Sequence, residues 1–298
     1  MFESESSAMR LFKCLGMEKF AWALRRLYCP VSAEALVLEV GSGGNPYARA
    51  NVLLDAYENT RERHWVPLKS DRPTVLGFVE NLPFRDKAFD FVIASHVFEH
   101  STDPVSFLRE LQRVAKAGYI EVPDAFMERI NPYRDHRLEI TVRQEKLVIR
   151  RKPQWAVDKT LIELYSDRAK SYIACHLIPS HPFAFHVRYY WNEHIDFMVL
   201  NPEIDVSWQP PEDEFARPRD ESSGVRKKIL DLLRQLMSQR VRNRNIDLTP
   251  LLRCPTCHAD NIERSEAGFC CQTCGAFYEM RREIAVLYPL KNKESLCP

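Results

Sequence analysis

The sequence predicts an α/β fold: a doubly wound, mostly parallel sheet followed by a small, separate C-terminal unit. Three observations predict it. Short apolar runs bounded by turn residues recur up to residue 124, an amphipathic helix pattern lies between two of them, and six of the nine cysteines fall at or after position 254. The bulk composition agrees: 298 residues, 45% of them hydrophobic, with 42 basic against 41 acidic side chains. At about 150 residues per domain this is about two domains with room for a full core. A disordered chain, and one basic all over that coats nucleic acid, are excluded.

Taken in order, residues 1–30 form an N-terminal helical segment, with Met17, Phe20, Ala21, Leu24 and Leu27 at helical spacing. The main domain is expected over residues 31–200. ALVLEV, NVLLD, FDFVIAS and GYIEV are apolar runs of strand length, as in strands buried on both faces of a parallel sheet. Between the last two, STDPVSFLRELQRVAK starts a helix with Asp103 as N-cap and Pro104 at the first helical position, and puts Phe107, Leu108, Leu111 and Val114 on one face. Strand, helix, strand implies a right-handed crossover. Further on, HRLEITV and KLVIRRK read as paired strands, AVDKTLIELYSDRAKSYIACHL as a helix, and FAFHVRYYW and HIDFMVL as strands. Together they are expected to complete the sheet and cover the substrate pocket.

Residues 201–247 change character. An acidic linker, with seven acids against two arginines over 201–221, leads into a basic amphipathic helix over 225–244, with seven basic residues against one acid. That helix, from Arg226 to Arg244, has three readings: a docking helix whose apolar face (Leu232, Leu236, Val241) meets the catalytic domain, a phosphate-binding patch for RNA, or an in-plane helix on an anionic membrane. Docking is the preferred one. No run approaches the roughly 18 apolar residues of a membrane span, and Glu3 and Glu5 stand where a secretory leader carries positive charge. A cytoplasmic setting is therefore expected, with cysteines as thiols or metal ligands.

The strongest chemical feature of the first half is VLEVGSGGNP. Gly41, Gly43 and Gly44 let the backbone turn sharply and approach a ligand closely. A dinucleotide site needs a third glycine where Pro46 stands, so hydride transfer with a nicotinamide is the poorer reading. Glu39 would repel a pyrophosphate but can accept from a ligand amino group, and Asp55 is placed to accept from ribose hydroxyls. The plainer alternative is an ordinary strand-to-helix turn that Asp55 merely caps. His96 and His100 flank the end of FDFVIAS, where ligands bind in this architecture, and are candidates for a base. For His96 a pocket wall, and for His100 a structural pair with Glu99, are the competing roles. Asp124, Asp135 and His136 follow the fifth run, and His181, His186 and His194 are too irregularly spaced to suggest a metal site.

In residues 248–298, Cys254-Pro-Thr-Cys257 and Cys271-Gln-Thr-Cys274 are two knuckles with 13 residues between them. This spacing suits Zn(II) held by four thiolates, a structural site because no coordination position stays open. Cys270 is out of register. A unit of about 50 residues builds little core, and the metal stands in for it.

VLEVGSGG, NVLLD, ENLPFRDKAFDFVIASHVFEH and the helix ending RVAK before GYIEVPD resemble class I S-adenosylmethionine-dependent methyltransferases, particularly the branch with quinone-biosynthesis and small-molecule enzymes. The resemblance implies a Rossmann-like methyltransferase sheet, S-adenosylmethionine as cofactor, and methyl transfer to oxygen or nitrogen of an unidentified acceptor, with a small molecule or glycan favoured. It also implies that Glu39 and the backbone of Gly41, Ser42 and Gly43 hold the methionine end, Asp55 the ribose, and Glu80, Asn81 and Leu82 the adenine side. Ser95 and His96 would form the rim near the reactive methyl. The short span from Gly41 to Asp55 reduces the intervening helix to a stub around residues 46–50. Phe78 replaces a common acid, leaving adenine to stacking and backbone contacts. IDLTPLLRCPTC and CGAFYEMRREIAVLYP resemble the small zinc-ribbon activator of RNA and translation-factor methyltransferases, which implies a ribbon docked on the catalytic domain of its own chain. Two alternatives stay open: an RNA or translation-factor methyltransferase with a built-in activator, or a non-catalytic scaffold that binds the cofactor.

Overall fold

The computed structural model describes residues 2–63, 65–155, 160, 163–165, 169–209, 232, 234 and 236–290. Along the chain run α1 (Ser7–Cys14), α2 (Glu18–Leu24), β1 (Val37–Val40), β2 (Val52–Asp55), β3 (Thr74–Leu76), β4 (Phe89–Ser95), α3 (Pro104–Val114), β5 (Ala115–Pro123) and α4 (Ala125–Ile130). Then come β6 (Leu138–Arg143), β7 (Lys146–Arg151), β8 (His186–Asn192), β9 (Phe197–Val199), α5 (Arg240–Arg244), β10 (Ile262–Arg264), β11 (Gly268–Cys271), β12 (Phe277–Arg281) and β13 (Ile284–Val286). The chain divides into two compact units. Unit 1 comprises Met1–Pro30, Ala94–Pro104 and Tyr119–Phe215; unit 2 comprises Val31–Ile93, Val105–Gly118 and Ala216–Pro298.

Unit 2 is built on a sheet with strand order β10-β11-β12-β13-β3-β2-β1-β4-β5. The pairs β1–β2, β2–β3 and β3–β13 are parallel, whereas β10 to β13 form an antiparallel meander. Every residue of β1, β2 and β3 is buried, which is why these segments read as continuous apolar runs and not as alternating ones. Helix α3 forms where its Pro and apolar spacing place it, burying Phe107, Leu108, Leu111 and Val114.

The stub helix expected around residues 46–50 does not form; the chain turns there instead. Side chains take up the backbone groups that a helix would have paired. The buried Arg72 guanidinium donates to the carbonyls of Tyr47, Ala48 and Ala50 (3.2, 3.3 and 2.6 Å), and Glu39 accepts the Tyr47 N–H at 2.7 Å.

The basic segment also departs from expectation. Residues 225–231, 233 and 235 lie outside the described residues, as does 210–221 of the acidic linker. In the described part it is polar side chains that dock. Arg242 donates to the carbonyls of Ala33, Glu34 and Ala35, Gln239 donates to that of Ala33, and the buried Asn243 accepts from Asn51 Nδ2 at 2.7 Å. Leu236 and Val241 are 75% and 80% exposed. The carbonyls of residues 33–35 call for donors, and arginine and amide side chains supply them where leucine could not.

In unit 1, β4 and β5 continue along the chain from unit 2, and β8 lies beside β5. The remaining strands do not complete this sheet, as the sequence had suggested. They form a sheet of their own, β6-β7-β9. Gln144 and Glu145, with φ of 50° and 61°, close β6 and β7 into a tight antiparallel hairpin, and β9 adds to β7 in parallel. Of the helix expected over 156–177, residues 156–159, 161–162 and 166–168 lie outside the described residues, whereas 170–180 is helical. No helix among the described residues is long and apolar enough to cross a membrane.

Candidate active site and metal-ligating cysteines

In unit 2 the glycine turn leaves the end of β1 beside the end of β2. Gly41 and Gly43 have φ of 65° and 57°, a region that a side chain resists. Asp55, the last residue of β2, accepts the Gly43 N–H on Oδ2 at 2.9 Å. Its Oδ1 accepts from Arg63 Nη1 at 2.7 Å and from the Tyr57 N–H at 3.1 Å. Arg63 thus occupies the acceptor position that the sequence assigns to ribose. Its Cδ would stand 3.1 Å from a Cβ placed on Gly43, so it lies over the turn. Ser42 Oγ is buried there without a hydrogen-bond partner among the described residues, a polar atom suited to a ligand. The turn, the carboxylate and the unmatched hydroxyl are groups of the kind that an adenosyl or methionine end would need, and Arg63 lies over them.

Glu39 is buried at this turn and holds the backbone of Tyr47, a structural task the sequence reading did not foresee. Past β3, Asn81 donates from Nδ2 to the Pro255 carbonyl at 2.9 Å, and the Leu82 N–H goes to Glu110. Phe78 meets Tyr57 edge to face and Tyr288 at a tilt of 42°, with ring centroids 6.3 and 5.2 Å away. Tyr288 follows β13 and donates to the Ala56 carbonyl at 2.6 Å. Neither Arg63 nor Tyr288 stood out as a site residue in the sequence: Arg63 lies outside the motifs it contacts, and Tyr288 reaches the Ala56 carbonyl across 232 residues.

In unit 1 the end of β4 meets a buried charge network. Glu121 is fully buried and accepts from Arg25 Nε at 2.7 Å, Arg25 Nη2 at 3.0 Å, Ser95 Oγ at 3.0 Å and Tyr119 O–H at 2.6 Å. His96 has φ of 55°, strained for a residue with a side chain. Its Nε2 lies 3.4 Å from Glu121 and its Nδ1 3.5 Å from Glu99. Burial alone would depress the imidazole, but the two carboxylates outweigh it and hold its pKa up at about 9. Held as a cation, His96 is a donor and a poor base. His100 places Nδ1 3.2 Å from the Asp135 carbonyl. The Glu99 carboxylate turns toward His96 and His136. Asp124 caps α4 and accepts from Thr141.

The four cysteines converge in unit 2. Cys254 and Cys274 sulfurs are 3.7 Å apart, Cys257 and Cys271 sulfurs 3.6 Å, and all four lie within 4.8 Å of one another. Four sulfurs about 2.3 Å from one tetrahedral ion would be separated by about 3.8 Å, so the group can hold such an ion. Gly275, with φ of 72°, turns the second knuckle and donates its N–H to the Cys271 carbonyl at 2.8 Å. Cys270 alternates with Cys271 along β11 and faces away; it is disulfide-bonded, where the sequence reading expected only thiols and metal ligands.

Residues 38–120 match the family described as a methyltransferase domain. This stretch of the chain is a methyltransferase domain by that match. The match starts within β1 and ends within β5, so it takes in the glycine turn, Asp55 and His96. An uncharacterized protein of Methanocaldococcus jannaschii is 28% identical over 81 residues, which are 27% of this chain and 40% of that one. The chain thus spans less than half the length of this curated relative. Among solved structures, the complex of the Haloferax volcanii Trm112 methyltransferase activator with its methyltransferase is 19% identical, covering 46% of this chain and 75% of that one at a TM-score of 0.30. A Bacillus subtilis protein, YcgJ, is 18% identical over 51% of this chain and 79% of its own, at a TM-score of 0.29. These structural likenesses are too weak to carry a substrate or partner across to the methyltransferase domain described above.

Proposed function

We propose that the chain transfers the methyl group of S-adenosylmethionine to an oxygen or nitrogen of an acceptor, a small molecule or glycan. The observation that carries this reading is the positive-φ turn at Gly41 and Gly43 tied by its own N–H to the Asp55 carboxylate. In this reading the backbone of residues 41–43 and Ser42 Oγ hold the methionine end. Asp55 takes the ribose, Glu80, Asn81 and Leu82 border the adenine, and Ser95, His96 and His100 belong to the acceptor end. Bound S-adenosylmethionine supplies a methyl group on a sulfonium already activated by its charge, so the protein's main work is proximity and orientation.

The cysteine group is read as structural Zn(II), with the ribbon over residues 248–298. The parallel pairing of β13 with β3 supports a ribbon that serves its own catalytic sheet, as a built-in activator would.

Calorimetric titration with S-adenosylhomocysteine tests the cofactor reading. Wild type should bind, and Asp55→Ala should lose at least about tenfold in affinity, the scale of a charge-assisted hydrogen-bond pair. Equal binding by a folded Asp55→Ala protein would remove Asp55 from the site. Intact binding with no methyl transfer to any RNA, protein or small-molecule fraction of an extract would favour the non-catalytic scaffold.

A further inference from the structure

Unit 1 holds a second set of metal-ligating side chains, distinct from the cysteines. Glu99, in the single turn after β4, is 2% exposed, and neither of its carboxylate oxygens has a hydrogen-bond partner among the described residues. The His96 cation answers its charge at 3.5 Å, yet a buried carboxylate ordinarily also fills its oxygens with hydrogen bonds or a metal. The groups facing it are imidazoles: His96 Nδ1 at 3.5 Å and His136 Nε2 at 3.9 Å from Oε1. The rings of His100 and His136 meet edge to face, 4.8 Å between centroids. One donor atom from each of Glu99, His100 and His136 lies within 4.8 Å of the others.

The outer partners of the two histidines orient them for ligation. His136 Nδ1 lies 2.7 Å from Glu128 Oε2, and His100 Nδ1 lies 3.2 Å from the Asp135 carbonyl. A proton on Nδ1 satisfies each acceptor, and an Nδ1 hydrogen-bonded outward is the orientation that Nε2-ligating histidines adopt. Glu128 is itself buried and fixed by Lys152 Nζ at 2.7 Å and by the Tyr133 N–H at 3.0 Å. This outer layer is more than a chance pairing of surface charges, since Glu128, His136 and Lys152 are all buried.

We propose that Glu99, His100 and His136 bind a divalent first-row transition-metal ion. Two imidazoles and one carboxylate suit Mn(II), Fe(II), Co(II), Ni(II) or Zn(II) better than Mg(II) or Ca(II), which take oxygen ligands. Donors about 2.1 Å from one ion lie about 3 to 4 Å apart, a spacing that small side-chain rotations reach from the present one. Three protein donors leave open positions for water or an oxygen of a bound molecule, unlike the closed cysteine set. The inference involves no residue of the glycine turn and stands whether or not the cofactor reading holds.

The test is Mn(II) titration of the full-length protein, purified with zinc already on its cysteines, following the electron paramagnetic resonance signal of free Mn(II). Thiolates are poor partners for Mn(II), so uptake reports the nitrogen and oxygen set. One Mn(II) per chain is expected, with pulsed resonance showing nitrogen couplings from imidazole. His100→Gln and His136→Gln should each weaken uptake by about tenfold or more. His100 is half-buried, so its variant keeps the test informative if changes at Glu99 or His136 disturb folding. No uptake by folded wild type, uptake without nitrogen couplings, or uptake undiminished in folded His100→Gln would overturn the assignment.

Discussion

At the residue scale, two arginines occupy positions that carboxylates define. Arg63 sits on the Asp55 oxygen that the proposed cofactor reading gives to ribose, so under that proposal the side chain and the cofactor would compete for one acceptor. Arg63→Ala should therefore bind S-adenosylhomocysteine severalfold more tightly than wild type, measured by the same calorimetry. Weaker binding would mean that Arg63 positions the carboxylate and does not compete for it. Arg25 instead completes a site. Burial would raise the Glu121 carboxyl, but the Arg25 guanidinium and His96 hold it well below the ordinary carboxylate range. Glu121→Gln should cost about 3 to 5 kcal/mol in urea unfolding, because it leaves the guanidinium buried without its counter-charge. A carboxylate so depressed contributes stability above its unfolded pKa, near 4.5, and loses it as pH falls. The Glu121→Gln protein should consequently show a shallower decline of stability below pH 4.5 than wild type.

At the element scale, the strands of the first half were readable because burial on both faces leaves an apolar run with nothing to alternate. VLEV, VLLD and FDFVIAS became β1, β2 and β4 on that ground. Strand β3 was missed, since three residues, TVL, carry too little pattern. The helix between β1 and β2 was over-read: fold precedent asks for one, but Arg72, far along the chain, satisfies those carbonyls without it. The same limit hid Arg25 and Glu121, which lie 96 residues apart and meet only in the folded unit. By contrast the cysteine knuckles were legible, because metal chemistry imposes its spacing locally. The ribbon's strands also fix a testable position. A Cβ on Gly268 would stand 2.0 Å from the Tyr278 carbonyl oxygen across the β11–β12 ladder. Gly268→Val should destabilise the ribbon by about 3 kcal/mol or more, as overpacking against a backbone atom does, and raise amide exchange through β10 to β12.

At the scale of the whole molecule, the cysteines and the large sheet share one fate, since the meander that carries Cys271 and Cys274 leads directly into β13. Removing the metal with a strong chelator, or replacing Cys257 with serine, should lower the thermal midpoint of unit 2 by more than about 5 °C. A ribbon that melted alone, with β3 protected as before in hydrogen exchange, would show that the pairing is dispensable.

The pairing of Thr74 with Ile284 also orders events in time. About 210 residues separate these partners, so during synthesis β3 emerges long before β13 exists to cover it. Until β13 leaves the ribosome, the nascent sheet presents an apolar, unpaired edge, the kind of surface on which chains aggregate. Chains cut short before residue 284 should therefore be a chaperone burden and recovered as aggregates, even though the whole matched methyltransferase segment lies upstream of the cut.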